Sequence, residues 1–188
     1  MKKESTQFRL VGGRLCLDFM NTANWSAEGA VIEDKLNNIN DIIAWREAAE
    51  LHRILIPDHR SFRDKVLQLR MNLRQILVSL INAEQPTPKL LAEFNNNFRT
   101  SSAVSLAKGP KGSLQYGPET SLTKAIEISA AAVLSNPSEI GRVKICPGDN
   151  CGWLFLDESK NRRRQWCAMD MCGNRAKAKR FYYRHLKT

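Results

Sequence analysis

No apolar run in this sequence approaches the roughly 18 residues needed to cross a bilayer. The chain therefore offers no candidate membrane span. Histidine is scarce, with three in 188 residues. His52, His59 and His185 each lack a neighbouring cysteine or acid at a ligand spacing, so none is assigned to a metal or to proton transfer. There is no Ser/His/Asp grouping, no phosphate loop and no inward-facing carboxylate pair. The expectation is a protein that is not an enzyme. No apolar stretch follows the two lysines near Met1, so no secretory signal is expected and the cytoplasm is the expected location.

Acidic residues run out toward the C-terminus. Residues 142–188 hold 4 Asp+Glu against 12 Lys+Arg, whereas residues 1–141 hold 15 against 17. Most of the net charge of +10 thus lies in the last quarter of the chain. Such a field favours phosphate-bearing partners or an acidic surface.

Cysteine is also sparse, but its placement is not even. Four of the five cysteines fall within 27 residues, as Cys146-Pro-Gly-Asp-Asn-Cys151 and Cys167-Ala-Met-Asp-Met-Cys172. Zinc prefers four soft ligands in a tetrahedron, and two equally spaced cysteine pairs can each reach one ion from a tight turn. Pro147 and Gly148 suit such a turn. Two disulfides or four unlinked thiols are the alternatives, and the first needs an oxidising compartment for which nothing here speaks. One structural Zn2+ held by Cys146, Cys151, Cys167 and Cys172 is the expected cofactor. Such a four-thiolate site has no open position for catalysis. Cys16, in a Leu-Cys-Leu context, reads as a buried small apolar residue.

The remaining patterns are mostly helical. Leu15 to Thr22 suits a short helix after the Gly12-Gly13 break, with Asp18, Asn21 and Thr22 gathered at helical separations. That polar trio could cap neighbouring backbone or bind a small ligand. Asn40-Asp41 offers a cap for a helix carrying Ile42, Ile43, Trp45 and Ala49. The longest helix spans roughly 58–83, with Phe62, Val66, Leu69, Leu73, Ile76 and Leu80 as its core stripe and Arg63, Lys65, Arg70 and Arg74 largely outside it. Thr87-Pro88 starts another helix. Residues 101–118 read as a β-hairpin turning at 109–112, or else as a linker. Residues 119–135 return to helix, with Leu122, Ile126, Ala130 and Val133 inward.

In the last quarter, Val143–Ile145 and Trp153–Leu156 can pair as a hairpin with Cys146 and Cys151 at its tip. A basic loop with Arg162, Arg163 and Arg164 follows, then a final helix from about Cys172 to Leu186. That helix gathers Ala178, Phe181, Tyr182 and His185 on a side expected to pack on the hairpin. Arg175, Lys177, Lys179, Arg180 and Arg184 form a basic strip on the other. The expected architecture is mainly α. It has an N-terminal helical domain with a small β-hairpin over residues 1–140. A treble-clef-like zinc finger of hairpin and helix follows over residues 141–188.

Cys172-Gly173-Asn174-Arg175, with Trp166-Cys167 before it and Cys151-Gly-Trp-Leu-Phe-Leu-Asp157 upstream, resembles the CGNR zinc-finger family. Gly12-Gly-Arg-Leu-Cys-Leu-Asp-Phe-Met-Asn-Thr22 resembles the opening of the ABATE domain that precedes that finger. The resemblance implies a stress-induced bacterial transcription regulator, with DNA binding under the control of a helical sensor domain. It carries over all four cysteines as zinc ligands and draws Asp18, Asn21 and Thr22 toward a ligand-binding role. Double-stranded DNA is the expected partner, contacted by Arg162, Arg163, Arg164, Arg175, Lys177, Lys179, Arg180 and Arg184. A homodimer fits the limited affinity of one small finger. RNA binding, a small-molecule effector and a protein-interaction role for the finger are the other readings these residues allow.

Overall fold

A six-residue helix, α1 (Leu15–Met20), is enclosed on several sides by the rest of the fold. Its Cys16, Leu17, Phe19 and Met20 are completely buried, more than one stripe of a surface helix would hide. The computed structural model from which these positions come describes residues 8–100, 104–108 and 113–185.

Two longer helices pack on α1: α3 (Arg60–Ile81) and α5 (Leu122–Leu134), while α2 (Ile39–Ala48) and α4 (Pro88–Thr100) pack against α3. Their starts follow from local chemistry. Asn38, rather than Asn40 or Asp41, caps α2; its side chain accepts from the Asn40 and Asp41 amides, and Asp41 answers by accepting from the Asn38 amide at 3.1 Å. His59 caps α3, its Nδ1 accepting from the Phe62 amide at 3.1 Å. Thr87 and Ser121 cap α4 and α5 in the same manner. Asn136 caps a short extra helix, α6 (Pro137–Ile140), where Pro137 fills the first turn instead of ending helical structure.

The core stripes on α3 and α5 fall as the periodicity predicts: Val66 and Leu73, and all of Leu122, Ile126, Ala130 and Val133, are wholly buried. Two charges on α3 do not. Arg70 and Arg74 are 1% and 4% exposed, so the buried face is wider than the six-residue stripe. Leu77, also fully buried, lies beside it on the helix.

Among the described residues, three two-stranded antiparallel hairpins accompany the helices. The first, β1 (Ala23–Trp25) with β2 (Val31–Asp34), is an element the sequence reading missed. The second, β3 (Leu106–Lys108) with β4 (Leu114–Tyr116), is the expected hairpin, and its turn at 109–112 lies outside the described residues. The third, β5 (Val143–Ile145) with β6 (Leu154–Leu156), pairs Val143 with Leu156 and Ile145 with Leu154. No helix among the described residues is long and apolar enough to cross a membrane.

The two halves read from the sequence share their cores. Val143, Leu154 and Leu156 join the main core with α1, α3 and α5. Ala23 and Trp25 join a second core with Trp153, Phe155 and the four clustered cysteines. The fold is mainly helical, with small hairpins and a C-terminal four-cysteine finger.

Candidate metal centre and nucleic-acid interface

Strands β5 and β6 bring Cys146 and Cys151 to one turn, closed by the Cys146 amide donating to the Trp153 carbonyl at 2.7 Å. Gly148 in this turn faces the second cysteine pair: a Cβ there would sit 2.7 Å from Cys172 Sγ. Gly152 has φ +58, and a Cβ on it would lie 2.7 Å from the Trp25 carbonyl oxygen. Glycine is thus required both by conformation and by the close approach of β1. Cys167 and Cys172 come from the opposite side, Cys167 just before and Cys172 on a wide helical turn over Met169–Gly173 that runs into α7 (Asn174–His185).

The four sulfurs lie within 4.8 Å of one another, and all four residues are buried. Sγ of Cys167 lies 3.7 Å from that of Cys151 and 3.6 Å from that of Cys172. Zn–S bonds of about 2.3 Å in a tetrahedron place sulfurs roughly 3.8 Å apart, whereas a disulfide needs about 2.05 Å. The donor set also asks for a cation. Close packing cannot leave all four thiols ionised. Hydrogen bonds from Cys151 and Cys167 hold Cys146 down to about 2. In return, Cys151 is pushed up to about 12 by Cys146, and Cys167 is raised by the same neighbours. A divalent metal resolves that conflict, because thiolates are the form it binds. Donors already point at the sulfurs, among them the Cys167 amide at 3.4 Å from Cys146 Sγ and Arg175 Nη2 at 3.2 Å from Cys172 Sγ. Such contacts orient thiolates and offset their charge. The four cysteines are the ligand set of one structural zinc ion.

The eight basic residues expected to meet nucleic acid fall into two groups. Arg162 and Arg163 are exposed on the loop, and Lys177, Arg180 and Arg184 are exposed on α7; none has an ion-pair partner among the described residues. The other three are engaged. Arg164 is a clamp rather than a free cation. Its guanidinium donates to the carbonyls of Val11 (2.8 Å), Leu156 (3.2 Å), Trp166 (3.1 Å) and Cys167, and lies over the Phe155 ring at 4.5 Å. Arg175 attends Cys172, and Lys179 pairs with Asp149 at 2.6 Å on the knuckle turn. Both members of that last pair are exposed, so it contributes little.

Helix α7 does not pack an apolar face on the hairpin as its sequence suggested. Phe181, Tyr182 and Tyr183 are 67%, 62% and 55% exposed. The reason is geometric: the hairpin's buried side is already filled by α1, β1 and the cysteines. An open groove of about 800 Å³ lies between the knuckle turn and α7, with Pro147, Trp166, Arg175, Arg180, Tyr183 and Arg184 along it.

The N-terminal trio is drawn into joints. The Asn21 side chain donates to the Leu154 carbonyl and accepts from the Leu154 amide, both at 2.8 Å, in the manner of a third strand beside β6. Thr22 donates to the Phe19 carbonyl at 2.7 Å and accepts from Arg70 Nη1 at 2.9 Å. Asp18 accepts from the Gly12 amide at 2.7 Å, and Gly12 in turn accepts from the Leu156 amide at 2.8 Å. Asn21 and Thr22 are thereby 3% and 1% exposed, with their side chains bonded inside the protein. Thr22 and Asp18 bond to nearby backbone in the manner of caps, while Asn21 bonds to β6, 133 residues away.

Burial pushes Asp18 up to about 6 despite its amide donors and the charge of Arg164. The folded protein therefore holds that proton more tightly than the unfolded chain, and ionising Asp18 lowers stability as pH rises from about 4 to 6. We expect wild type to lose about 2 kcal/mol relative to Asp18→Asn across that interval, and no more above it. Paired chemical denaturation curves at pH 4.5 and 7 check this; a constant difference would contradict it.

The sequence reading also missed Arg70. Its Nη1 donates to Asp34 Oδ1 at 2.9 Å, and its Nη2 pairs with Asp34 Oδ2, so it ties α3 to the end of β2. Four residues separate it from Arg74, and Leu67, Met71 and Val78 on the same flank were the available sign that this side of α3 is covered.

Two family models match the chain. Residues 142–185 match the CGNR zinc finger. Residues 13–137 match ABATE, whose description reads "Putative stress-induced transcription regulator". No curated protein matches the chain.

Proposed function

Because the chain belongs to the ABATE family and carries a CGNR zinc finger, we propose that it is a cytoplasmic transcription regulator that binds double-stranded DNA through the finger and takes no catalytic part. The observation that carries this reading is the group of five exposed cations without ion-pair partners among the described residues. Arg162 and Arg163 lie on the loop between the two cysteine pairs, and Lys177, Arg180 and Arg184 lie along α7. Zinc organises but does not react, since four thiolates leave no position for water or substrate. Arg162, Arg163, Lys177 and Arg184 make phosphate contacts, which set affinity and register but not sequence. Arg180, which lines the groove with Tyr183, reaches base edges in this reading. Asp18, Asn21 and Thr22 serve as the joint through which the helical part holds the finger, not as an effector site.

The test is fluorescence anisotropy of zinc-loaded protein on labelled duplex DNA. If about six phosphates are engaged, affinity falls about 10³-fold between 50 and 200 mM salt. Arg180→Gln with Arg184→Gln weakens binding by about tenfold or more at fixed salt, with an unchanged melting temperature. Absence of binding at 50 mM salt removes the proposal. Stronger competition by single-stranded RNA than by duplex DNA favours the stacking mode that exposed Tyr182 and Tyr183 permit.

A further inference from the structure

Arg74 is unlike the other buried arginine on its helix. Arg70, one turn earlier, has Asp34 and Thr22 as partners. Arg74 is 4% exposed, and its Nε and Nη1 are buried with no hydrogen-bond partner among the described residues. Its guanidinium carbon lies over the Trp25 ring, 4.3 Å from the centroid. Burial, the larger effect, lowers its pKa to about 10, against a smaller upward pull from Cys151. A buried cation with unmet donors is costly, and proteins normally supply it with a carboxylate.

Among the described residues no carboxylate lies within ion-pair distance of it. The acids along the same cleft are Glu28 and Asp149. Glu28 is bonded to Ser26 and Asp149 to Lys179. The cleft itself is substantial, about 920 Å³, between α3 and the β1–β2 turn on one side and the zinc knuckle on the other. Arg74, Trp25, Glu28, Gly29 and Val78 line it, and they also line a smaller recess of about 210 Å³ behind the turn. Pro147 and Gly152 of the knuckle form its far wall.

We propose that this cleft is an anion-binding site in which Arg74 receives the carboxylate or phosphate group of a small molecule, with the Trp25 ring as its backing. The occupant touches the helical part and the zinc knuckle together. Guanidinium is suited to both oxyanions because it presents fixed, planar N–H donors and keeps its charge when desolvated. This site is separate from Asp18, Asn21 and Thr22, and it does not depend on the finger binding DNA.

The test uses the full-length, zinc-loaded protein, titrated with inorganic phosphate and separately with succinate at constant ionic strength. Tryptophan fluorescence and melting temperature are both followed. At least one anion saturates with Kd near ~1 mM, raises the melting temperature, and binds about tenfold or more weakly to Arg74→Gln. Arg180→Gln with Arg184→Gln leaves this binding intact, which separates it from anion attraction to α7. Val78→Glu, one turn along α3, provides an internal carboxylate; it melts higher than wild type without ligand and no longer binds the anion. Failure of both anions to saturate by about 50 mM overturns the proposal. So does equal binding by folded Arg74→Gln, or full binding by Val78→Glu.

Discussion

Chelating the zinc is expected to destabilise the helical half of the protein along with the finger. The four cysteines share a core with Ala23 and Trp25 of the first hairpin, and β6 lies against α1. Asn21 is bonded on both sides of its amide to Leu154, and the Trp25 amide donates to the Cys151 carbonyl at 3.1 Å. Without the metal, four buried thiols lose their common partner, and the knuckle turn has little else to fix it. Zinc binding in small fingers is worth on the order of 10 kcal/mol. A domain of this size has about 5–15 kcal/mol in total. Even half of that contribution, transmitted through the shared core, lowers the melting temperature by about 10–20 °C. Cys151→Ser should do nearly the same. Thermal melts followed by far-UV circular dichroism, which reads mainly the helices, measure this directly. Superimposable melts before and after chelation would mean that the finger is an independent appendage.

The second large effect distinguishes neighbours in one basic run. Arg163→Ala should leave stability within about 0.5 kcal/mol of wild type and weaken DNA binding. Arg164→Ala should cost on the order of 2–4 kcal/mol, or about 5–15 °C in melting temperature, and loosen zinc retention. The difference follows from geometry. Arg164 satisfies four backbone carbonyls, including those of Val11 and the ligand Cys167, and stacks on Phe155. Removing it strands those acceptors and unhooks the N-terminal segment from the finger. Asp157 reinforces the same loop. Its burial works against ionisation, yet Lys144 at 2.6 Å and the Ser159 donors hold its carboxyl well below the usual range. Differential scanning calorimetry with a zinc-release assay compares the two variants. Equal melting temperatures would contradict the assignment of Arg164 as a clamp.

These cases show what the sequence carried and what it could not. The zinc ligands were legible because their evidence is local: two short spacings fix two turns, and only a soft metal suits four thiols. The inward stripes of α3 and α5 were legible because helical period alone decides them. Arg162, Arg163 and Arg164 look alike in sequence, and it is the folded loop, with the carbonyls of Leu156, Trp166 and Cys167 and of Val11 some 150 residues away, that engages the third one. Arg70 and Arg74 looked like solvent-facing charges because their cover, the β1–β2 hairpin, was itself unseen. That hairpin is short, and β2 is mostly exposed, so its alternation is weak. The Asp18, Asn21 and Thr22 cluster was rightly singled out as unusual. The partners of Asn21 on β6 and of Thr22 on α3 are far along the chain, so no local pattern reveals them.

The central claim is that metal holds α7 and the Arg162–Arg163 loop in one orientation that duplex DNA can engage. Its most direct measurement is the affinity of one preparation for one labelled duplex, taken zinc-loaded, chelated, and reloaded with a single equivalent of zinc. The account predicts a loss of about 100-fold or more on chelation at 150 mM salt, recovered on reloading. Equal affinity in all three states would show that charge alone, without the metal-organised shape, accounts for binding.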